Sequence, residues 1–362
     1  MSTYGGKGGK GGKGGKGGKG GKGGKGGKGG KSDGYDNGLD HAGGAASHYL
    51  STALASTRDG IQHHWDGKPT VAKTPSPRAP AWHSFIVLDE DSRSVVLDHD
   101  IHALFQAKGT DIQALNKNGN FESLIELTAP ENSDEMIEAQ LGYVKSAADL
   151  RMDRLPEIQV QLTDITSFFG AITYLQADST KWTLELMHAM LRLAAFIEMP
   201  VKHRLGMPRP MAFAKEVQPL IQTPTHGSWP SGHATEAFAL ATLFEALTSG
   251  KTGAEAIAEG TQAMRLAARI ATNRTVAGVH FPTDSMAGAM LGVSIAQYLI
   301  SHMSRDNTVT AGRSYGGSDL GDFNLQTLNG NTATDEHIHN LKAAKGSILR
   351  KIWKKAKAEM AG

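Results

Sequence analysis

Between Glu135 and Met303, apolar side chains recur at spacings of three and four in one segment after another. That period is the α-helical one. It is expected to give helices over Glu135–Leu155, Glu157–Leu175, Lys181–Met199, Gly232–Leu247, Gly253–Thr272 and Pro282–Met303. Pro200 should end or kink the third, because proline removes a backbone donor and clashes with the preceding turn. Helices with an apolar stripe must bury it against one another, so the expected fold is mainly α, a helical bundle.

The flanking regions read differently. A short helix is expected near His41–Ser56, followed by a Pro-rich linker at Lys68–Pro80. "SFIVLDEDSRSVVLD" reads as a small β-hairpin, Phe85–Leu88 and Val95–Leu97 around an acidic turn. The helical pattern is taken to begin at about Asp111. A polar Gly/Asn-rich linker covers Arg305–Asn331, and a basic helix about Glu336–Met360. Ile348, Leu349, Ile352 and Trp353 share one face of that helix, with Arg350, Lys351, Lys354, Lys355 and Lys357 around the rest. This pattern suits a helix docked on its own domain or on a second subunit; a membrane-surface helix is the alternative. The expected division is 1–32 arm, 33–110 N-terminal extension, 111–304 helical core, 305–333 linker and 334–362 C-terminal helix.

Residues 5–31 are nine copies of Gly-Gly-Lys. The repeat has no apolar side chain to bury and a maximal backbone entropy cost, so disorder is expected. A Gly-rich coil of that length spans roughly 30 Å. It is a candidate electrostatic tether to an anionic surface, with a solvated arm that has no partner as the plainer reading. Without its lysines the chain holds 29 basic and 36 acidic residues, so the formal net charge of +2 hides an acidic body. There is no cysteine, which excludes disulfides and thiolate chemistry. No signal peptide opens the chain and no apolar run reaches membrane-spanning length, so the expectation is a cytoplasmic or otherwise soluble protein.

Chemistry concentrates in three segments at expected helix ends. "KHRLGMPRP" carries Lys202 and Arg209; "WPSGHA" carries Ser231, Gly232 and His233; "NRTVAGVHFPTD" carries Arg274, His280 and Asp284. Lys202, Arg209 and Arg274 would put three positive charges around one point, matching a tetrahedral oxyanion of two or three negative charges. Pro230-Ser231-Gly232 precedes a helix whose first N–H groups lack intrahelical partners, a ready anion site. Pro282 suits a first helical position. Asp284, in that first turn, can fix the tautomer of His280 and leave its other nitrogen as nucleophile or ligand. Each segment alone is common. The three in this order, each at a helix boundary, describe an oxyanion pocket.

The order resembles the three-part signature shared by the type 2 phosphatidic acid phosphatases, the bacterial acid phosphatases and the vanadium-dependent haloperoxidases. That signature is Lys-x6-Arg-Pro, Pro-Ser-Gly-His, then Ser-Arg-x5-His-x3-Asp. The sequence departs from it at Asn273, where the family has Ser. The resemblance covers about Arg151–Met303 and implies the helical bundle of that family. It further implies that Lys202, Arg209, Ser231, Gly232 and Arg274 hold the non-reacting oxygens. His280 would be the phosphorylated nucleophile or the ligand of vanadium, the single metal ligand expected, and His233 the acid–base group. His226 stands seven residues before His233, where the algal bromoperoxidases also carry a histidine, and is a further catalytic candidate. The favoured reading is a soluble haloperoxidase-like enzyme that holds vanadate and oxidises halide with hydrogen peroxide. A phosphomonoesterase without cofactor, working through phosphohistidine, is the alternative, and a non-catalytic anion-binding protein the second. The partners implied are small molecules, with no sequence-specific nucleic acid and no transmembrane segment. A homo-oligomer is allowed.

Overall fold

The computed structural model describes residues 48–61, 81–130, 133–304, 308–318, 320–333, 339–342 and 348–361. The Gly-Gly-Lys arm, the Pro-rich linker and the start of the helix expected from His41 lie outside them. The chain is mainly helical with small sheets. In order it runs α1 (His48–Ile61), α2 (Ala81–Ile86), α3 (Glu90–His102), β1 (Phe105–Lys108), β2 (Asp111–Leu115), β3 (Phe121–Leu127), α4 (Asp134–Ala147), α5 (Arg151–Val160) and α6 (Thr166–Phe169). It continues as α7 (Lys181–Leu205), α8 (Pro210–Phe213), α9 (Gly232–Thr248), α10 (Gly253–Glu259), α11 (Gln262–Val276) and α12 (Pro282–Met303). The last elements are β4 (Thr308–Ala311), β5 (Arg313–Tyr315), α13 (Leu325–Ala333), β6 (His339–Lys342) and α14 (Ile348–Met360).

The centre of the bundle is the pair α9 and α12. Both are almost wholly buried, so neither shows the one-sided stripe of a surface helix. Each buried Leu, Ile, Met or Phe on them contributes about 1.5–3 kcal/mol. α7, α11 and α14 pack around this pair. The two central helices approach closely because α12 presents glycine. A methyl at Gly288 would overlap the Ser231 carbonyl, and one at Gly292 the Thr235 carbonyl, both backbone atoms that cannot turn aside. Gly288→Ala is therefore expected to destabilise the fold by about 1–3 kcal/mol in urea unfolding. Gly142→Ala, on an exposed turn of α4 with open space beside it, should stabilise by about 0.5–1 kcal/mol. Equal stability of Gly288→Ala and the parent would show that the close approach is not required.

Several local expectations are corrected. The segment read as a hairpin at Phe85–Leu97 is α2 and α3. Asp89 caps α3 by accepting from the Ser92 N–H at 2.7 Å, and Leu97 and Ile101 are buried one turn apart. Capping and this spacing outweigh the β-branched residues. The strands lie further on, in a region taken to turn helical. Antiparallel β1–β2–β3 joins parallel β5 in one sheet, and β4 pairs with β6. The expected long helix Gly253–Thr272 is two, because Thr261 accepts from the Met264 N–H at 3.5 Å and starts α11 afresh. The helix expected over Glu157–Leu175 stops at Val160, and only the short α6 follows. α7 runs through Pro200 to Leu205, so Pro200 does not end it. Pro200 and Phe196 lie on the exposed face, where water can serve the Phe196 carbonyl that proline leaves unbonded. The region read as the linker Arg305–Asn331 contains β4, β5 and the start of α13. The final helix begins only at Ile348, with β6 where its first turns were expected.

α14 docks on its own domain. Leu349, Ile352, Trp353 and Ala356 are buried. The Glu359 carboxylate accepts from the backbone N–H groups of Trp182 at 3.0 Å and Thr183 at 2.8 Å, at the start of α7. Lys357 donates to the Ala246 carbonyl near the end of α9 at 3.0 Å. Each contact sets a charge against the matching helix-dipole end. Among the described residues, no helix is long and apolar enough to cross a membrane.

Candidate active site

The three motifs meet through backbone geometry. α11 ends in a Schellman turn, with the Gly278 N–H bonded to Thr275 O at 2.9 Å and the Val279 N–H to Arg274 O at 3.1 Å. Gly278 takes φ 78°, the left-handed conformation this turn requires. The chain thereby reverses and delivers His280 close behind Arg274. α12 then starts with Pro282 in its first turn, and Asp284 reaches back to accept from the Phe281 N–H at 2.9 Å. The Asp284 carbonyl accepts from the Ser231 N–H at 2.9 Å, which ties the start of α12 to the start of α9.

Arg209, His226, Gly232, His233, Arg274 and His280 line one cavity of about 460 Å³. Leu162, Ala195, Met199, Ile221, Pro224 and Val279 supply apolar wall. His280 Nδ1 lies 3.0 Å from Asp284 Oδ2, so the proton sits on Nδ1 and Nε2 keeps its lone pair. Nε2 is 3.1 Å from Arg209 Nη1, which also donates to the Val279 carbonyl at 2.8 Å. Burial first, and the nearby cations second, hold His280 well below its ordinary pKa. Burial pushes Asp284 up to about 6, against the Phe281 N–H and the charges of Lys202 and Arg209.

His233 Nε2 lies 2.9 Å from the Gln161 carbonyl and 3.4 Å from Arg274 Nη1. The carbonyl can only accept, so Nε2 carries the proton and the guanidinium is a charged neighbour rather than a hydrogen-bond partner. Burial, then Arg274, bring His233 down to about 3. His226 is half-buried, with Nδ1 3.4 Å from Arg209 Nη2, and its pKa is lowered by burial and Lys202. All three imidazoles are neutral at pH 7. Arg274, lowered to about 10 by burial, remains a cation.

Lys202 sits behind the cavity. Its ammonium donates to the carbonyls of Pro230, Gly227 and Ser228, the last two at 3.4 Å, and so holds the loop leading into α9. Ser231 is the N-cap residue of α9, yet its hydroxyl does not cap it and is buried without a partner, as is Arg274 Nε. Such orphaned donors are uncommon in folded proteins, and these two leave hydrogen-bonding capacity that a ligand or a water can take up.

Sequence reasoning missed two acids that line the cavity and Gln161, which braces Arg274. Gln161 follows α5, and its side chain accepts from Arg274 at 2.9 Å and from Asn273 at 3.1 Å. Nothing in the motifs points to it. Asn273, the departure from the family pattern, thus anchors Gln161 while its own oxygen accepts from Arg154 at 3.1 Å. Glu198 and Glu236 both line the cavity. Helical spacing could have found them, since Glu198 stands one turn before Lys202 and Glu236 one turn after Gly232.

The model of the PAP2 superfamily matches residues 183–308, the stretch from the first turn of α7 to β4 that carries all three motifs. These residues belong to the PAP2 superfamily. No curated protein matches the chain. The PAP2 domain supplies every motif residue of the cavity, whereas Leu162 and Thr163 of its lining come from the segment before it.

Proposed function

We propose that this PAP2-superfamily enzyme is a vanadium-dependent haloperoxidase-type catalyst that oxidises halide with hydrogen peroxide. Vanadate fits the donor set. Arg209, Arg274, Gly232 and His233 line the cavity, the orphaned Ser231 hydroxyl comes just before Gly232 in the chain, Lys202 adds charge from behind, and His280 Nε2 offers one lone pair. Bound vanadate would supply a Lewis-acidic centre that activates peroxide towards halide.

The observation that carries this reading is His226, a third neutral imidazole on the same guanidinium as His280. Phosphoester hydrolysis needs a nucleophile and an acid–base group, roles that His280 and His233 fill. Halide oxidation (H2O2 + X⁻ + H⁺ → HOX + H2O) consumes a proton each turnover, and a further imidazole beside the anion gives that proton a route. Burial first, and the charges of Arg274, Lys202 and Arg209 after it, hold His233 low. An oxyanion there offsets those charges, raises His233 and makes it a better acid.

The test is one preparation in two assays: bromide and chloride oxidation with vanadate and peroxide, and hydrolysis of p-nitrophenyl phosphate without vanadate. Halide oxidation with little hydrolysis is expected. Efficient hydrolysis with no halide oxidation would overturn the proposal and select the phosphohistidine route.

A further inference from the structure

Two acids stand in a cavity built for an anion. Glu198 on α7 and Glu236 on α9 are buried, and each has one carboxyl oxygen without a hydrogen-bond partner. Glu198 lies against the first turn of α9: a methyl built on Gly232 would come within 2.5 Å of Oε1 and 3.1 Å of Oε2. Its carboxyl therefore occupies the helix N-terminus expected to cradle the oxyanion. Around the pair stand Lys202 on α7, Arg209 before α8, His226 in the following loop, His233 on α9, Arg274 on α11, and His280 and Asp284 at the start of α12. The imidazoles are neutral. If Glu198, Glu236 and Asp284 were all ionised, they would cancel Lys202, Arg209 and Arg274, and a dianion would meet no net attraction. Each proton on the pair restores one positive charge and turns a repelling oxygen into a donor.

We propose that Glu198 and Glu236 are anion-binding residues that act as protonated carboxyls, so that the cavity takes up its oxyanion together with a proton. Burial favours this form, raising Glu198 to about 7 against the pull of Lys202, the Thr235 hydrogen bond and Arg209. Burial and then the neighbouring Glu198 carry Glu236 well above the ordinary carboxylate range. The inference rests on the oxyanion reading of the cavity and is independent of the choice between halide oxidation and hydrolysis.

Calorimetry of the full chain with inorganic sulfate tests it, because sulfate is a tetrahedral dianion that does not titrate between pH 6 and 9. Titrations in two buffers of unlike ionisation enthalpy give the protons taken up. About one proton is expected at pH 8.5, with affinity falling about tenfold per pH unit above pH 7. Glu198→Gln and Glu236→Gln donate without titrating, so each should reduce the uptake and the double variant abolish it. High-pH affinity should then rise about tenfold. Lys202, which burial lowers to about 8, is the competing source of pH dependence. A decline and an uptake that persist in the double variant assign the proton to Lys202 or an imidazole and overturn the inference. Binding by the parent without proton uptake overturns it with no variant needed. Absence of sulfate binding at every pH overturns the oxyanion reading and the inference with it.

Discussion

Replacing His280 by Ala is expected to lower turnover by about 10⁴–10⁶-fold, the scale on which loss of a reacting group is felt. The expectation holds for either chemistry. His280 Nε2 is the imidazole lone pair that Asp284 sets in place, through a 3.0 Å contact to Nδ1. Under the haloperoxidase proposal the variant should also bind vanadate much more weakly, because the one direct bond that His280 would make to the metal is lost and only charge and hydrogen bonds remain. Asp284 would keep the Phe281 N–H as donor but lose its imidazole partner while buried, at a stability cost of about 1–3 kcal/mol. Thermal unfolding beside the activity assay separates that cost from the chemical one. Turnover within tenfold of the parent, in a folded His280→Ala variant, would remove His280 from the chemistry.

His233→Ala should separate rate from binding. The rate is expected to fall about 10²–10⁴-fold, the usual contribution of a positioned acid–base group. Vanadate affinity should stay within a few-fold of the parent, since Arg209, Arg274, Lys202 and the start of α9 remain. The mutation frees the Gln161 carbonyl that holds His233 at 2.9 Å, and the cavity gives water room to replace that contact. Competitive vanadate titration of both variants checks the assignment. If His280→Ala binds vanadate as tightly as the parent while His233→Ala does not, the two roles are exchanged.

The parts of the site that local signals specify were legible in the sequence. Pro282 marks the start of α12, and Gly232 the start of α9, as read. Lys202, Arg209, Ser231, Gly232, His233, Arg274, His280 and Asp284 are brought together in the fold. What was hidden depends on tertiary placement. Helical spacing puts Glu198 on the face of Lys202 and Glu236 on the face of Gly232, but that both carboxyls are buried together follows only from the packing of α7 on α9. The Gln161 carbonyl is a backbone group that carries no residue-type signal at all. The sheet was missed although Ile112 and Ala114 alternate with less buried neighbours and a Gly-Thr pair joins β1 to β2. At Asp89, an N-cap decided the structure against a run of β-branched residues. Lys202 was expected to face the anion directly, and instead its ammonium holds three loop carbonyls.

The most direct test of the central claim is a crystal structure of the full chain grown or soaked with vanadate. The expected result is vanadium bonded to His280 Nε2, its oxygens held by Arg209, Arg274 and the Ser231 hydroxyl, with His233 beside them. Vanadate bound elsewhere, with the cavity free of anion density at saturating concentration, would contradict the assignment of this cavity as the oxyanion site.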